Sequence, residues 1–290
     1  MSYQTSEQPD TQASAEPVAQ VEGPRPLRQP AVFLPHGGGP CFFMDYPEGR
    51  NPWATMDVFL RNLASTLPER PKAILVVSGH WEEAAFAVNT GEAPPLLFDY
   101  YGFPEHTYRL TYPAPGAPAL AQRVRRLLNG AGLQSQEDNV RGFDHGVFVP
   151  FLLVNPKADV PVLQLSLQRS LDPALHIAAG KALAPLRDEG VLIVGSGMSF
   201  HNMRGFGGGF EAASKGFDEW LTAVVTDPDS VRREAALAAW EQALHARACH
   251  PREEHLLPLM LVAGAGGEDA GSKIFEGRIP NVTVSAFRFG

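Results

Sequence analysis

Nine histidines carry most of the chemistry this chain can do: His36, His80, His106, His145, His176, His201, His245, His250 and His255. Their placement is more telling than their number. His36 follows the apolar run AVFLP, His80 follows AILVVSG, and His201 follows VLIVGSGMSF. In open α/β sheets, ligands collect beyond the carboxyl ends of strands, where loops aim side chains into one crevice. Three imidazoles in such places can converge on a shared ligand. Neutral imidazole is the commonest metal ligand in proteins, and two or three with open coordination positions suit Fe(II) or Zn(II) catalysis. Gly37, Gly38 and Gly39 beside His36, and Gly195 and Gly197 ahead of His201, provide tight turns and room for close approach. A single histidine at a strand end is often a loop or hydrogen-bonded core residue, so the weight rests on the three together.

The other histidines divide. His176 and His245 fall within stretches of helical periodicity and are expected to be packing or surface residues. The segment HPREEH (250–255) places Pro251 where a helix would begin, but its histidines are five apart. Metalloprotease helices use histidines four apart. Five residues advance a helix by about 500°, so only one of His250 and His255 can point into a given site from that helix. Glu253 and Glu254 are candidate carboxylate ligands or first-turn partners of the helix dipole. His145 opens an apolar element after Asp144, whose carboxylate could orient the imidazole or cap the segment. The triple glycine lacks the GK[ST] ending of a phosphate loop.

The elements that must position these side chains alternate. Apolar runs at 31–35, 73–79, 160–167, 191–197 and 282–289 read as strands. Helical periodicity is clearest at 117–128, 173–186, 212–225 and 230–246. The expected fold is α/β, a single domain with a central, mostly parallel or mixed sheet flanked by helices, spanning residues 30–290. Residues 1–29 are rich in Gln, Ser, Glu and Pro and read as a flexible tail without the features of a secretory signal. With 44% hydrophobic residues, the 290-residue chain can bury a sizeable core. Its net charge of −8 and lack of a Lys/Arg cluster argue against nucleic acid as a partner. No apolar run reaches the 18 or so residues of a bilayer span, and two cysteines suit a reducing compartment. A cytoplasmic location, no membrane partner and an open oligomeric state are the corresponding expectations.

Seven blocks then occur in order: PHGGGP (35–40), SGHW (78–81), FDYYGFPEHTYRLTYPAPG (98–116), GFDHGVFVP (142–150), LQLSL (163–167), GSGMSFHN (195–202) and HPREEHLLPL (250–259). With them the chain resembles the class III extradiol ring-cleaving dioxygenases, specifically the single-chain DOPA 4,5-dioxygenase type related to the catalytic subunit of protocatechuate 4,5-dioxygenase. The resemblance implies a divalent metal, Fe(II) for activity, with Zn(II) common in purified members. It implies His36, His80 and His255 as metal ligands, Glu254 in reserve, His201 as the acid/base and His145 as a second pocket histidine. The implied reaction opens the ring of a catecholic substrate with O2 to a muconic semialdehyde type product. HGGGP and GMSFHN depart from the usual family sequence on the expected substrate side. Trp81, Phe200 and Tyr101 are candidate pocket walls. From the residues alone, a Zn(II) hydrolase of an amide or ester, or a non-catalytic binding protein, remains open beside the dioxygenase.

Overall fold

The apolar runs become the strands of one sheet. The structure, a computed structural model, describes residue 1 and residues 27–290. Its strands are β1 (Ala31–Pro35), β2 (Ala73–Glu83), β3 (Phe86–Asn89), β4 (Ser135–Asp138), β5 (Val162–Gln168), β6 (Val191–Gly197), β7 (Gly271–Ile279) and β8 (Val282–Phe289). They lie in the order β4-β3-β5-β2-β6-β1-β8-β7. The central strands β5, β2, β6 and β1 are mutually parallel, which brings the carboxyl ends of β1, β2 and β6 to one edge. Antiparallel pairing of β8 with β1, β7 with β8 and β3 with β5 makes the sheet mixed. This is the expected α/β architecture. The sequence patterns had not marked β3, β4 or β7. β4 is the four residues SQED, and β7 is exposed or half-buried between its two buried ends.

The helices are α1 (Ala54–Leu63), α2 (Pro118–Gly130), α3 (His145–Val154), α4 (Pro173–Leu183), α5 (Pro185–Asp188), α6 (Glu211–Val225), α7 (Ser230–Ala238), α8 (Ala246–Cys249) and α9 (Leu257–Gly266). Side chains alternate across a strand, and β6 shows which helix covers which face. Ser196 reaches the backbone of Gly146 in α3, while a Cβ on Gly195 would press into the Pro258 carbonyl of α9. α3 and α9 therefore cover opposite faces, and both are almost wholly buried. α9 also touches α4 at backbone distance: a Cβ on Gly180 would lie 1.9 Å from the Leu261 oxygen, and one on Gly264 2.1 Å from that of Ile177. Glycine at these crossings lets a completely apolar helix sit flush on its neighbour.

Three helix boundaries depart from the periodicity. The single helix expected at 173–186 is broken into α4 and α5 at Pro185, which lacks an N–H. The helix expected at 230–246 ends at Ala238, and His245 adopts a left-handed conformation (φ 65°) just before α8. His245 is thus a turn residue, not a helical one. Residues 250–256 form turns, and α9 begins at Leu257 with Pro258 in its first turn. His250 and His255 are accordingly free of helix-face geometry. At the other end, Gln29 is buried, its amide donating to the Arg187 carbonyl and its carbonyl accepting from the Arg187 guanidinium, so order reaches into the expected tail. Residues 2–26 of that tail lie outside the described residues. Among the described residues, no helix is long and apolar enough to cross a membrane.

Two histidines are structural. His176 accepts a hydrogen bond from the Gln168 amide and contacts the Asp172 carbonyl, and His250 donates to the Ser199 carbonyl. Burial lowers their pKa values to about 4 and about 3. An unfolded chain takes up these protons near pH 6.5. Below that pH the unfolded state binds more protons, so stability falls, by up to about 1.4 kcal/mol per pH unit for each group. Urea unfolding of metal-free protein at about pH 7 and about pH 5 should show this loss, and His250→Gln, which keeps a donor, should shrink it.

Candidate active site

The site assembles beyond the carboxyl edge of β1, β2 and β6. His36 continues the ladder one residue past β1, its amide donating to the Gly197 carbonyl, and Gly37 then turns the chain at φ +82°. His80 lies within β2, in an interruption of the pairing with β5 between Val77 and Glu82. A buried carboxylate steadies that irregular backbone. Asp144 accepts hydrogen bonds from Ser78, Gln164 and Arg141; Ser78 accepts from the His80 amide, and Arg141 donates to the His80 carbonyl. Burial, then the charge of Asp99, pushes the Asp144 carboxyl up. Asp144 therefore serves the backbone of β2, and its carboxylate neither orients the His145 ring nor caps α3.

His255 arrives from the turn before α9. Its carbonyl accepts from the Met198 amide, and a Cβ on Gly197 would lie 2.1 Å from that oxygen. Gly79 is similarly close, its added Cβ 3.0 Å from the Glu254 carbonyl. The glycines around β6 thus make room for protein backbone, where the sequence suggested room for a ligand.

The three imidazoles His36, His80 and His255 meet. Nε2 of His80 lies 3.1 Å from Nε2 of His36 and 3.2 Å from Nε2 of His255. With metal–nitrogen bonds of about 2.1 Å, adjacent ligands of a tetrahedral or octahedral ion are about 3.0–3.4 Å apart, so these spacings match the edges of a coordination shell. The outer nitrogens settle the tautomers. Nδ1 of His36 lies 3.1 Å from Ser196 Oγ, whose own proton goes to the Gly146 carbonyl, and Nδ1 of His255 lies 2.9 Å from Glu254. Both Nδ1 atoms donate, which turns both Nε2 lone pairs inward. Burial, reinforced by neighbouring imidazoles, holds His36 and His80 well below the ordinary imidazole pKa, and burial brings His255 down to about 4. All three are neutral near pH 7 and able to bind a metal.

His145 and His201 flank this group. The ring of His145, at the start of α3, lies 4.0 Å from that of His80 between centroids; His36, His80 and His145 place donor atoms within 4.8 Å of one another, as do His201, Glu254 and His255. His201 stacks on His255 at 3.4 Å between centroids. Each flanking ring has its own carboxylate. Asp99 receives both the backbone amide and Nδ1 of His145, at 3.0 and 2.8 Å. Glu254 lies 3.3 Å from Nδ1 of His201 while holding His255 with the same oxygen. Burial opposes the charge on both acids, but hydrogen bonds from the histidines outweigh it and keep both carboxyls below their usual range. The five imidazoles open into a cavity of about 640 Å³ lined also by Trp53, Tyr100, Tyr101, Phe103 and Met203. Of the expected walls, Tyr101 is present; Trp81 and Phe200 are core residues, Trp81 lying under the Arg141 guanidinium.

Residues 30–287 match the family described as the catalytic LigB subunit of aromatic ring-opening dioxygenase. The chain belongs to this family. A protein from Beta vulgaris named 4,5-DOPA dioxygenase extradiol is 41% identical over 215 residues, covering 72% of this chain and 78% of that protein. One of the same name from Escherichia coli strain K12 is 37% identical, covering 82% and 85%. The crystal structure of an uncharacterized protein from Escherichia coli K12 superposes with a TM-score of 0.73 at 31% identity, over 91% of this chain and all of that one. The protein is thus an aromatic ring-opening dioxygenase of the LigB family, acting with O2 on a small molecule.

Two residues in this LigB-type site escaped sequence reasoning. Asp99 lies in the block FDYYGFPEHTYRLTYPAPG, but an acid 46 residues from His145 gives no local sign of its partner. Ser196 reads as one small residue among glycines. His250, buried against Phe217 and Trp240, stays outside the cluster. The close approach at Gly197 supplies a test. Gly197→Ala should displace the His255 turn, lowering stability by about 1–3 kcal/mol and metal affinity by about 10-fold or more. Gly130→Ala, where an added Cβ meets nothing within 4 Å, should change neither. Thermal unfolding and metal titration measure both.

Proposed function

We propose that the protein is an Fe(II)-dependent extradiol dioxygenase that opens the ring of a catechol beside its two hydroxyls, using O2 to form a muconic semialdehyde type product. His36, His80 and His255 hold the metal; Zn(II) fits the same donors. The reading rests on the approach of His80 Nε2 to the Nε2 atoms of both His36 and His255, with two of the outer nitrogens tied to oxygens. A bound Fe(II) would supply Lewis acidity to the catechol oxygens and redox capacity toward O2.

The chain's own groups do the rest. His201 lines the cavity with Nδ1 turned to Glu254, so its Nε2 is the atom that takes a catechol proton and later returns it to a departing oxygen. His145 donates through Nδ1 to Asp99, leaving Nε2 to accept a hydrogen bond from a substrate hydroxyl. Asp99 and Glu254 are positioning residues: each fixes a ring and its tautomer from behind. Trp53, Tyr100 and Phe103 exclude water from the reacting centre.

Protein reconstituted with Fe(II) without oxygen, given a catechol panel and then O2, should consume O2 in step with formation of a yellow ring-opened product. No product across a broad panel counts decisively against the reading. His201→Phe should retain metal and turn over about 10²-fold more slowly; loss of metal would mean the proton role is misassigned. Asp99→Asn should also retain metal, with turnover reduced about 10-fold to 10²-fold and a displaced pH profile.

A further inference from the structure

The five imidazoles form one end of the cavity, and the rest of its wall is Gly37, Gly38, Gly39, Pro52, Trp53, Tyr100, Tyr101, Phe103, Met198, Met203 and Pro280. No Lys, Arg, Asp or Glu stands among these lining residues. The Tyr100 hydroxyl is turned away and donates to the Thr107 carbonyl, and the Gly38 amide faces Cys41 Sγ. Behind the histidines stand the carboxylates of Asp99 and Glu254, both negative. A substrate carboxylate would therefore leave water for a wall with no cation, close to two acids, and an unpaired buried charge is strongly disfavoured. The volume of about 640 Å³ lies in the range of pockets for drug-sized molecules, well beyond the needs of a bare catechol ring.

We propose that the substrate is a catechol carrying an uncharged, apolar substituent, which the Trp53–Tyr100–Phe103–Met203 wall receives while the diol faces the imidazoles. The proposal rests on the ring-cleavage reading and assigns its substrate class. Apolar walls recognise by area, so each added methylene that reaches the wall should raise kcat/KM about 4-fold. A carboxylate in the same place should lower it by about 10²-fold.

The test compares alkylcatechols of increasing chain length and phenylcatechol with dihydroxybenzoate and DOPA. Cleavage is measured as kcat/KM with O2. Binding is measured separately, without oxygen, on zinc-loaded protein by calorimetry. Tighter binding and faster cleavage of the apolar series support the proposal. Met203→Arg, at a largely exposed position of the wall, should then raise kcat/KM for dihydroxybenzoate about 10-fold relative to phenylcatechol. Equal or better binding and cleavage of dihydroxybenzoate or DOPA overturns the proposal and leaves ring cleavage standing. In that case the glycine-loop amides or Arg204, next to Met203, hold the carboxylate. Preferential binding of apolar catechols without cleavage upholds the ligand class and removes the ring-cleavage reading. No binding of any catechol overturns both.

Discussion

Nitrogen lone pairs that face one another at hydrogen-bonding distance must share a proton or a cation. Each neutral imidazole has one ring N–H and one in-plane lone pair, and the Nε2 atom of His80 has two such neighbours, His36 and His255. One proton cannot satisfy both contacts. Burial keeps the rings from charging, so the cluster is held together from outside, by Ser196 and Glu254 on the outer nitrogens. A divalent ion would accept all three lone pairs at once, which is why the arrangement is compatible with a metal.

That external support depends on backbone contact between elements far apart in sequence. β6 lies between β1 and β2, so His36 and His80 stand on either side of the strand carrying Ser196. His255 belongs to neither neighbour. It reaches the cluster because Gly197 and Gly79 let its turn lie directly against the strands, while Gly195 seats the first turn of α9. α9 is in turn seated on α4 through Gly180 and Gly264. A methyl group at any of these positions would wedge the third imidazole away from the first two.

Charge and apolar surface are segregated within the site. The acids Asp99 and Glu254 stand behind the flanking imidazoles His145 and His201, and each joins a flanking ring to the central cluster: Glu254 through His255, and Asp99 through its 3.8 Å approach to His80. The groups proposed to handle protons are thereby tied to the residues proposed to hold the metal. In front of the rings the wall is aromatic, methionine, proline and glycine. The imidazoles and the apolar wall consequently occupy different parts of the cavity.

Local pattern was enough to reveal the alternating α/β order, the three histidines near strand ends and, through seven ordered blocks, the family. These are legible because apolar periodicity and short motifs are properties of neighbouring residues. Helix ends were less legible, since Pro185 and the left-handed His245 interrupt a periodicity that continues on either side. The partner of His145 was not legible at all: Asp144 is adjacent in the chain, but Asp99, 46 residues away, makes the bond. Nor could sequence decide between Glu254 as an inward ligand and Glu254 as the outer partner of two imidazoles, the arrangement seen here. Sequence by itself determined which residue types were available and roughly which elements carried them. Only the tertiary structure decided which nitrogen of each ring faces inward and which acid lies behind it, because those choices depend on hydrogen bonds between segments that meet only when the chain is folded.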